Sequence, residues 1–133
     1  MDNKYKRISI VVAVLIGVVG IFTTLTGSAA EKNKKAEMVI FYSPSCPHCH
    51  DALKFLDSIE PKYKNLKITK YNTSKTSGAN YYFHYTKKLN LNTSGVPLAV
   101  FGDKYELGYG TDDTTGQKYI SHIEELLKET ESK

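Results

Sequence analysis

The sequence predicts an α/β domain in the order β-α-β-α-β-β-α, with a four-stranded mixed sheet, behind an apolar N-terminal segment. Three observations lead there. Met38-Val39-Ile40-Phe41-Tyr42 is continuously apolar and ends in Ser-Pro, as a buried strand of a parallel pair does. Downstream segments then alternate between helical and strand periodicity. Finally, Leu98 to Phe101, Gly102-Asp103 and Tyr105 to Leu107 read as strand, tight turn and strand, a hairpin.

The first helix follows the first strand directly. Pro47 suits an opening turn, where a missing N–H costs nothing. Leu53, Leu56 and Ile59 recur at helical spacing, joined by Ala52 and Tyr63, and Pro61 marks the end. Leu66 and Ile68 alternate with Lys67 and Thr69 in a second strand that runs to about Tyr71. Asn-Thr-Ser-Lys-Thr-Ser-Gly-Ala-Asn, residues 72–80, is turn-rich by composition, and a second helix is expected over 81–91. Thr114 and Gln117 have capping-box spacing ahead of Ile120, Ile123 and Leu127, which predicts a C-terminal amphipathic helix. Glu124 and Lys128 make a supporting pair on its exposed side. There is no internal repeat.

Residues 1–30 stand apart. Ile8 to Leu25 is an 18-residue run, apolar except for Ser9, Thr23 and Thr24, and Lys4, Lys6 and Arg7 precede it. A basic stretch before a hydrophobic one is the architecture of a secretory signal. Cleavage near Ser28-Ala29-Ala30 would release a secreted domain. The run exceeds the roughly 7–15 residues of a signal core and is just long enough to span a bilayer, so an uncleaved anchor over about 8–25 is favoured. Lys32, Lys34 and Lys35 balance the leading charges, so the positive-inside rule sets no orientation. A lone N-terminal apolar segment ordinarily acts as a signal, and the expected location is membrane-anchored with the domain extracytoplasmic. A polar tether over 31–37 then leads into one domain at 38–133.

From Glu31 onward the chain holds 15 Lys and Arg against 13 Asp and Glu. That near-neutral balance leaves no basic patch to argue for nucleic acid. The chain has two cysteines, Cys46 and Cys49, three positions apart. A disulfide between them closes a very small loop and removes little unfolded-state entropy, so it is no structural staple. A pair this close points to chemistry.

Cys46-Pro47-His48-Cys49-His50 admits three chemistries: a redox dithiol, a metal site and c-type haem attachment. Its position favours the first. A helix N-terminus offers unsatisfied N–H donors and partial positive charge, which stabilise a thiolate at Cys46. Cys49 lies one turn inside, within reach of Cys46 but less exposed. Cys46 then attacks and Cys49 resolves. His48, between them, adds a donor or a charge that makes the disulfide more oxidising.

Phe-Tyr-Ser-Pro-Ser-Cys-Pro-His-Cys after a buried strand, with Ser94-Gly95-Val96-Pro97 before a later one, resembles the thioredoxin superfamily. The Pro-His dipeptide is similar to that of DsbA-type thiol oxidases, and the compact body looks more like a glutaredoxin or minimal thioredoxin. The resemblance covers about Glu37 to Glu131. It implies a thioredoxin-like fold and a cis Pro97 lying against the dithiol. It also implies a substrate chain paired with the backbone at Val96. No cofactor beyond a Cys46–Cys49 redox disulfide is expected. Expected partners are exported cysteine-containing proteins or peptides and a membrane thiol-redox carrier that recycles the dithiol.

Departures from the family pattern are informative. The buried carboxylate six positions before the first cysteine is Ile40 here. The tryptophan before the motif is Ser45, and the chain has no tryptophan. No inserted helical domain of the DsbA kind is present. Gly108-Tyr109-Gly110-Thr111-Asp112 faintly resembles the glutathione-binding segment of glutaredoxins, although Gly and Asp after a strand are ordinary turn residues.

The rival chemistries fare worse. Haem needs a second axial ligand, and beyond Cys49 there is no methionine, only His84 and His122 besides His50. A closed zinc site needs two ligands besides the thiolates, and no second CxxC or HxxxH exists. The family's proline also blocks metal from the dithiol, which leaves a copper-handling variant as the metal reading, since soft thiolates suit Cu(I). Tyr81, Tyr82, Phe83 and Tyr85 read as helix packing plus surface tyrosines. Asn72-Thr73-Ser74 and Asn92-Thr93-Ser94 match a glycosylation pattern that is frequent by chance. His84 and His122 read as surface or cap residues.

The sequence thus leads to a thiol-disulfide oxidoreductase acting on exported proteins, with oxidation favoured. The alternatives are a membrane-tethered reductant and a non-catalytic copper- or partner-binding module.

Overall fold

Alternation along the first strand places the whole domain. β1 (Ala36–Tyr42) buries Met38 and Ile40 on one face of the sheet and Val39 and Phe41 on the other. A strand buried on both faces belongs at the centre. In the computed structural model, which describes residues 34–92 and 94–132, β1 is flanked on both sides. It pairs in parallel with β2 (Leu66–Asn72), from Ala36↔Leu66 to Tyr42↔Asn72. On its other edge β3 (Leu98–Phe101) runs antiparallel, from Met38↔Phe101 to Phe41↔Leu98. β4 (Lys104–Leu107) returns beside β3 through the Gly102-Asp103 turn, and the order is β2-β1-β3-β4. Gly102 supplies the positive φ of 68° that this turn requires.

Two apolar clusters cover the two faces. α1 (Pro47–Ile59) and α3 (Gln117–Glu131) pack on the first, where Ala52, Phe55, Leu56, Ile59, Tyr119 and Ile123 meet Met38, Ile40, Ala99 and Phe101. α2 (Thr76–Lys88) brings Tyr82 and Tyr85 to the second, against Val39, Phe41, Leu98 and Val100. Each fully buried side chain of this size contributes roughly 1.5–3 kcal/mol, so these two faces hold the fold together.

The element order and the four-stranded mixed sheet are the expected ones, with differences from expectation at element ends. β1 begins at Ala36, two residues into the expected tether, because Ala36 N–H donates to Asn65 C=O at 2.8 Å and starts the ladder. α2 begins at Thr76, so 76–80 is helix where composition reads as turn. Gly78 is the reason: a Cβ there would lie 2.0 Å from the Asn72 carbonyl oxygen, and only glycine lets the helix start so close to β2. The helix stops at Leu89, with Asn90 in the left-handed region at φ 53°. The capping box ahead of α3 joins Thr111 and Thr114 rather than Thr114 and Gln117, and a π-type turn over Asp112–Gly116 follows it. No helix among the described residues is long and apolar enough to cross a membrane. The expected anchor at 8–25 lies outside the described residues.

Candidate functional site

The site forms where β1 ends and α1 begins. Thr73 caps the end of β1, donating to the Tyr42 carbonyl through its N–H (2.9 Å) and its hydroxyl (3.1 Å). Ser43-Pro44-Ser45 then turns the chain, and Cys46 N–H donates back to Ser43 C=O at 3.1 Å. Cys46 is the N-cap of α1, with extended φ −96° and ψ 112°, and Pro47 follows at the first helical position. That geometry turns the Cys46 sulfur over the helix end, where Cys49 N–H donates to it at 3.2 Å.

The two thiols differ sharply. Cys46 is half-buried, whereas Cys49 is 0% exposed on the inner side of α1. Burial first, and then the adjacent Cys46 sulfur, push the Cys49 thiol up to about 12 from the ordinary value of 9.0. Cys49 therefore keeps its proton while Cys46 faces solvent.

A second segment completes the site. The Cys46 thiol points at the Val96 carbonyl oxygen, 3.6 Å away, and the Val96–Pro97 peptide bond is cis. Pro97 is fully buried, and its carbonyl accepts from Gly108 N–H at 2.7 Å. Cys46, Cys49, Val96 and Pro97 are thus brought together from positions about fifty residues apart. Pro47 and His48 lie on the exposed first turn of α1. His50 is also exposed, and its Nε2 donates to Pro44 C=O at 2.7 Å, tying the helix to the preceding turn.

The remaining expected groups sit elsewhere. Ile40 is in the core row opposite Ala99, so the sheet face on which α1 packs carries a hydrocarbon at that position. His84 is exposed on α2. His122, read as a surface or cap residue, is instead half-buried, with Nε2 3.2 Å from Glu106 Oε1 and its ring 5.1 Å from that of Phe101. Among the described residues no group of three or more His, Cys, Asp or Glu side chains is placed to hold a metal ion. Tyr109 to Asp112, from the 108–112 segment, line an open groove of about 570 Å³ beside α1, together with Asp113, Asp51 and Lys54.

Tyr82, expected only to pack its helix or lie at the surface, also holds the loop beside the site. Its hydroxyl donates to Gly95 C=O at 3.0 Å and accepts from Gly95 N–H at 2.8 Å. The available signal was weak: Tyr82 and Tyr85 share a helix face, which says they are buried but not what they touch.

No protein-family model matches the chain, and no curated protein matches it. Among solved structures, thioredoxin O2 from Arabidopsis thaliana, in its oxidized state, is similar at 17% identity and a TM-score of 0.48, over 68% of this chain and 76% of that one.

Proposed function

We propose that this chain is an extracytoplasmic thiol-disulfide oxidoreductase that exchanges disulfides with exported proteins or peptides, oxidation being its direction. One observation carries the reading: a half-buried thiol caps a helix beside Val96 and Pro97, with a second, fully buried thiol directly behind it. Cys46, accepting a hydrogen bond from Cys49 N–H, is the reactive sulfur of that pair. As an oxidase, the Cys46–Cys49 disulfide is attacked at Cys46 by a substrate thiolate, and Cys49 leaves with a proton. A second substrate thiolate attacks the mixed disulfide, the substrate departs oxidised, and the dithiol remains. A membrane thiol carrier then accepts the two electrons. The apolar segment at 8–25 is read as the anchor that keeps the two together.

The reduction potential of the dithiol tests the direction. Equilibration with glutathione buffers and thiol trapping should give a value between about −120 and −180 mV, the range of oxidants and isomerases. A value near about −270 mV, that of thioredoxin, would overturn oxidation and make the protein a reductant.

A further inference from the structure

The loop between α2 and β3 has to deliver Val96 to the Cys46 sulfur, and one side chain holds it there. Tyr82 stands edge-on to Phe41, with ring centroids 5.4 Å apart and planes at 88°, so its ring is fixed by the second core cluster. Its hydroxyl uses both hydrogen-bonding capacities on a single residue, donating to Gly95 C=O and accepting from Gly95 N–H.

The neighbouring backbone groups are committed as well. Pro97 has no N–H, and its C=O accepts from Gly108 N–H at 2.7 Å. Gly95 and Pro97 are therefore closed to an incoming chain. Val96 lies between them, half-buried, and among the described residues its carbonyl meets only the weak 3.6 Å thiol contact. A substrate strand needs an N–H and a C=O from the same residue to pair. Of Gly95, Val96 and Pro97, Val96 alone offers both without a backbone partner among the described residues.

We propose that Tyr82 is a positioning residue for substrate docking: it latches Gly95 so that Val96 is the single residue whose backbone pairs with an extended cysteine-bearing peptide beside Cys46. This rests on the oxidoreductase reading and on the docking at Val96 that the thioredoxin resemblance implies, and it adds Tyr82 as the residue that holds that element in place. Recognition of this kind reads backbone rather than side chain. The substrate class is accordingly any extended chain that can place a sulfur at Cys46, with little demand on flanking sequence.

Tyr82→Phe keeps the ring and removes the latch. With a reduced two-cysteine peptide as substrate for the disulfide form, KM should rise about fivefold or more, the loss expected from at least one hydrogen bond worth about 1 kcal/mol, while kcat holds. Alkylation of Cys46 by iodoacetamide, which has no chain to dock, should be unchanged. Tyr81→Phe, on an exposed ring stacked against Tyr71, should leave KM unchanged. An unaltered KM in Tyr82→Phe, or an equal loss of iodoacetamide reactivity, overturns the latch. Amide exchange in the otherwise unaltered Cys49→Ser protein, trapped on a peptide through Cys46, gives an independent readout. Val96 N–H should gain protection while Gly95 N–H keeps the protection it already has. New protection at Gly95 instead would overturn the proposal. A wild-type disulfide form that oxidises no two-cysteine peptide at all would instead remove the functional reading.

Discussion

The backbone N–H of Cys49 points at the Cys46 sulfur from 3.2 Å, so the residue that would resolve a mixed disulfide also supports the one that forms it. The arrangement follows from Cys46 taking the N-cap position, where a side-chain acceptor normally binds the N–H of the third helical residue. Sulfur here does the capping that a serine or aspartate does elsewhere. One consequence is an inequality of roles that substitution can read. Cys46→Ser should abolish disulfide exchange with any substrate. Cys49→Ser should leave attack intact and accumulate a Cys46-linked mixed disulfide, seen as a dithiothreitol-sensitive band on non-reducing gels. Equal loss of adduct in both variants would contradict the assignment.

Cys49 should also make the reduced protein sensitive to alkali. Its folded value is raised to about 12, while the unfolded thiol ionises near 9.0. Between these limits the unfolded chain binds fewer protons than the native one, so stability falls as pH rises. The contribution is fully present below pH 9.0 and disappears as pH climbs towards 12. Denaturant unfolding of reduced wild type and Cys49→Ala should therefore differ by an amount that shrinks across this window. In Cys46→Ser, alkylation of Cys49 should still have its midpoint above 9.0, since burial is the larger cause. A midpoint at the ordinary value would show that water reaches the sulfur.

Gly78 carries a sharper structural prediction. The atom nearest a Cβ built there is the Asn72 carbonyl oxygen at 2.0 Å, with the Asn72 carbonyl carbon at 2.6 Å. Both belong to backbone at the end of β2 and cannot rotate away. Gly78→Ala should cost at least about 1–3 kcal/mol, despite the higher helix propensity of alanine, because α2 must lift from the sheet. A lower Tm checks it, and a Tm equal to or above wild type would refute the close approach.

The same glycine explains what could and could not be read from the chain. Periodicity found β1, α1, β3 and α3, since each has a one-sided or two-sided apolar pattern that its burial reproduces, whereas β4 was found through its turn and leaves its apolar Tyr105 and Leu107 exposed. Residues 76–80 read as turn because Thr, Ser, Gly and Asn are weak helix formers, yet packing on β2 outweighs that preference. The dithiol was legible because the cap, the proline and the strand that precede α1 are all local. Val96 was placed only through a family resemblance, and the Tyr82–Gly95 latch was not read at all. Its partners are thirteen residues apart and meet through a loop whose course no local rule dictates.

Tyr119 offers a test of the core itself. It is 0% exposed, and its hydroxyl has no hydrogen-bond partner among the described residues. A buried hydroxyl left unpaired costs about 1–3 kcal/mol, so the ring alone must account for its place. That ring lies 5.4 Å from Phe101, 5.5 Å from Tyr109 and 6.5 Å from Phe55, centroid to centroid. Tyr119→Phe keeps all three contacts and removes only the orphaned oxygen, so stability should be unchanged or higher by up to about 2 kcal/mol. Tyr119→Ala should lose about 3–5 kcal/mol through the cavity it opens. Denaturant midpoints of the two variants separate ring from hydroxyl. A loss above about 1 kcal/mol in Tyr119→Phe would mean that the hydroxyl is paired after all, through a buried water such as those that satisfy interior polar groups.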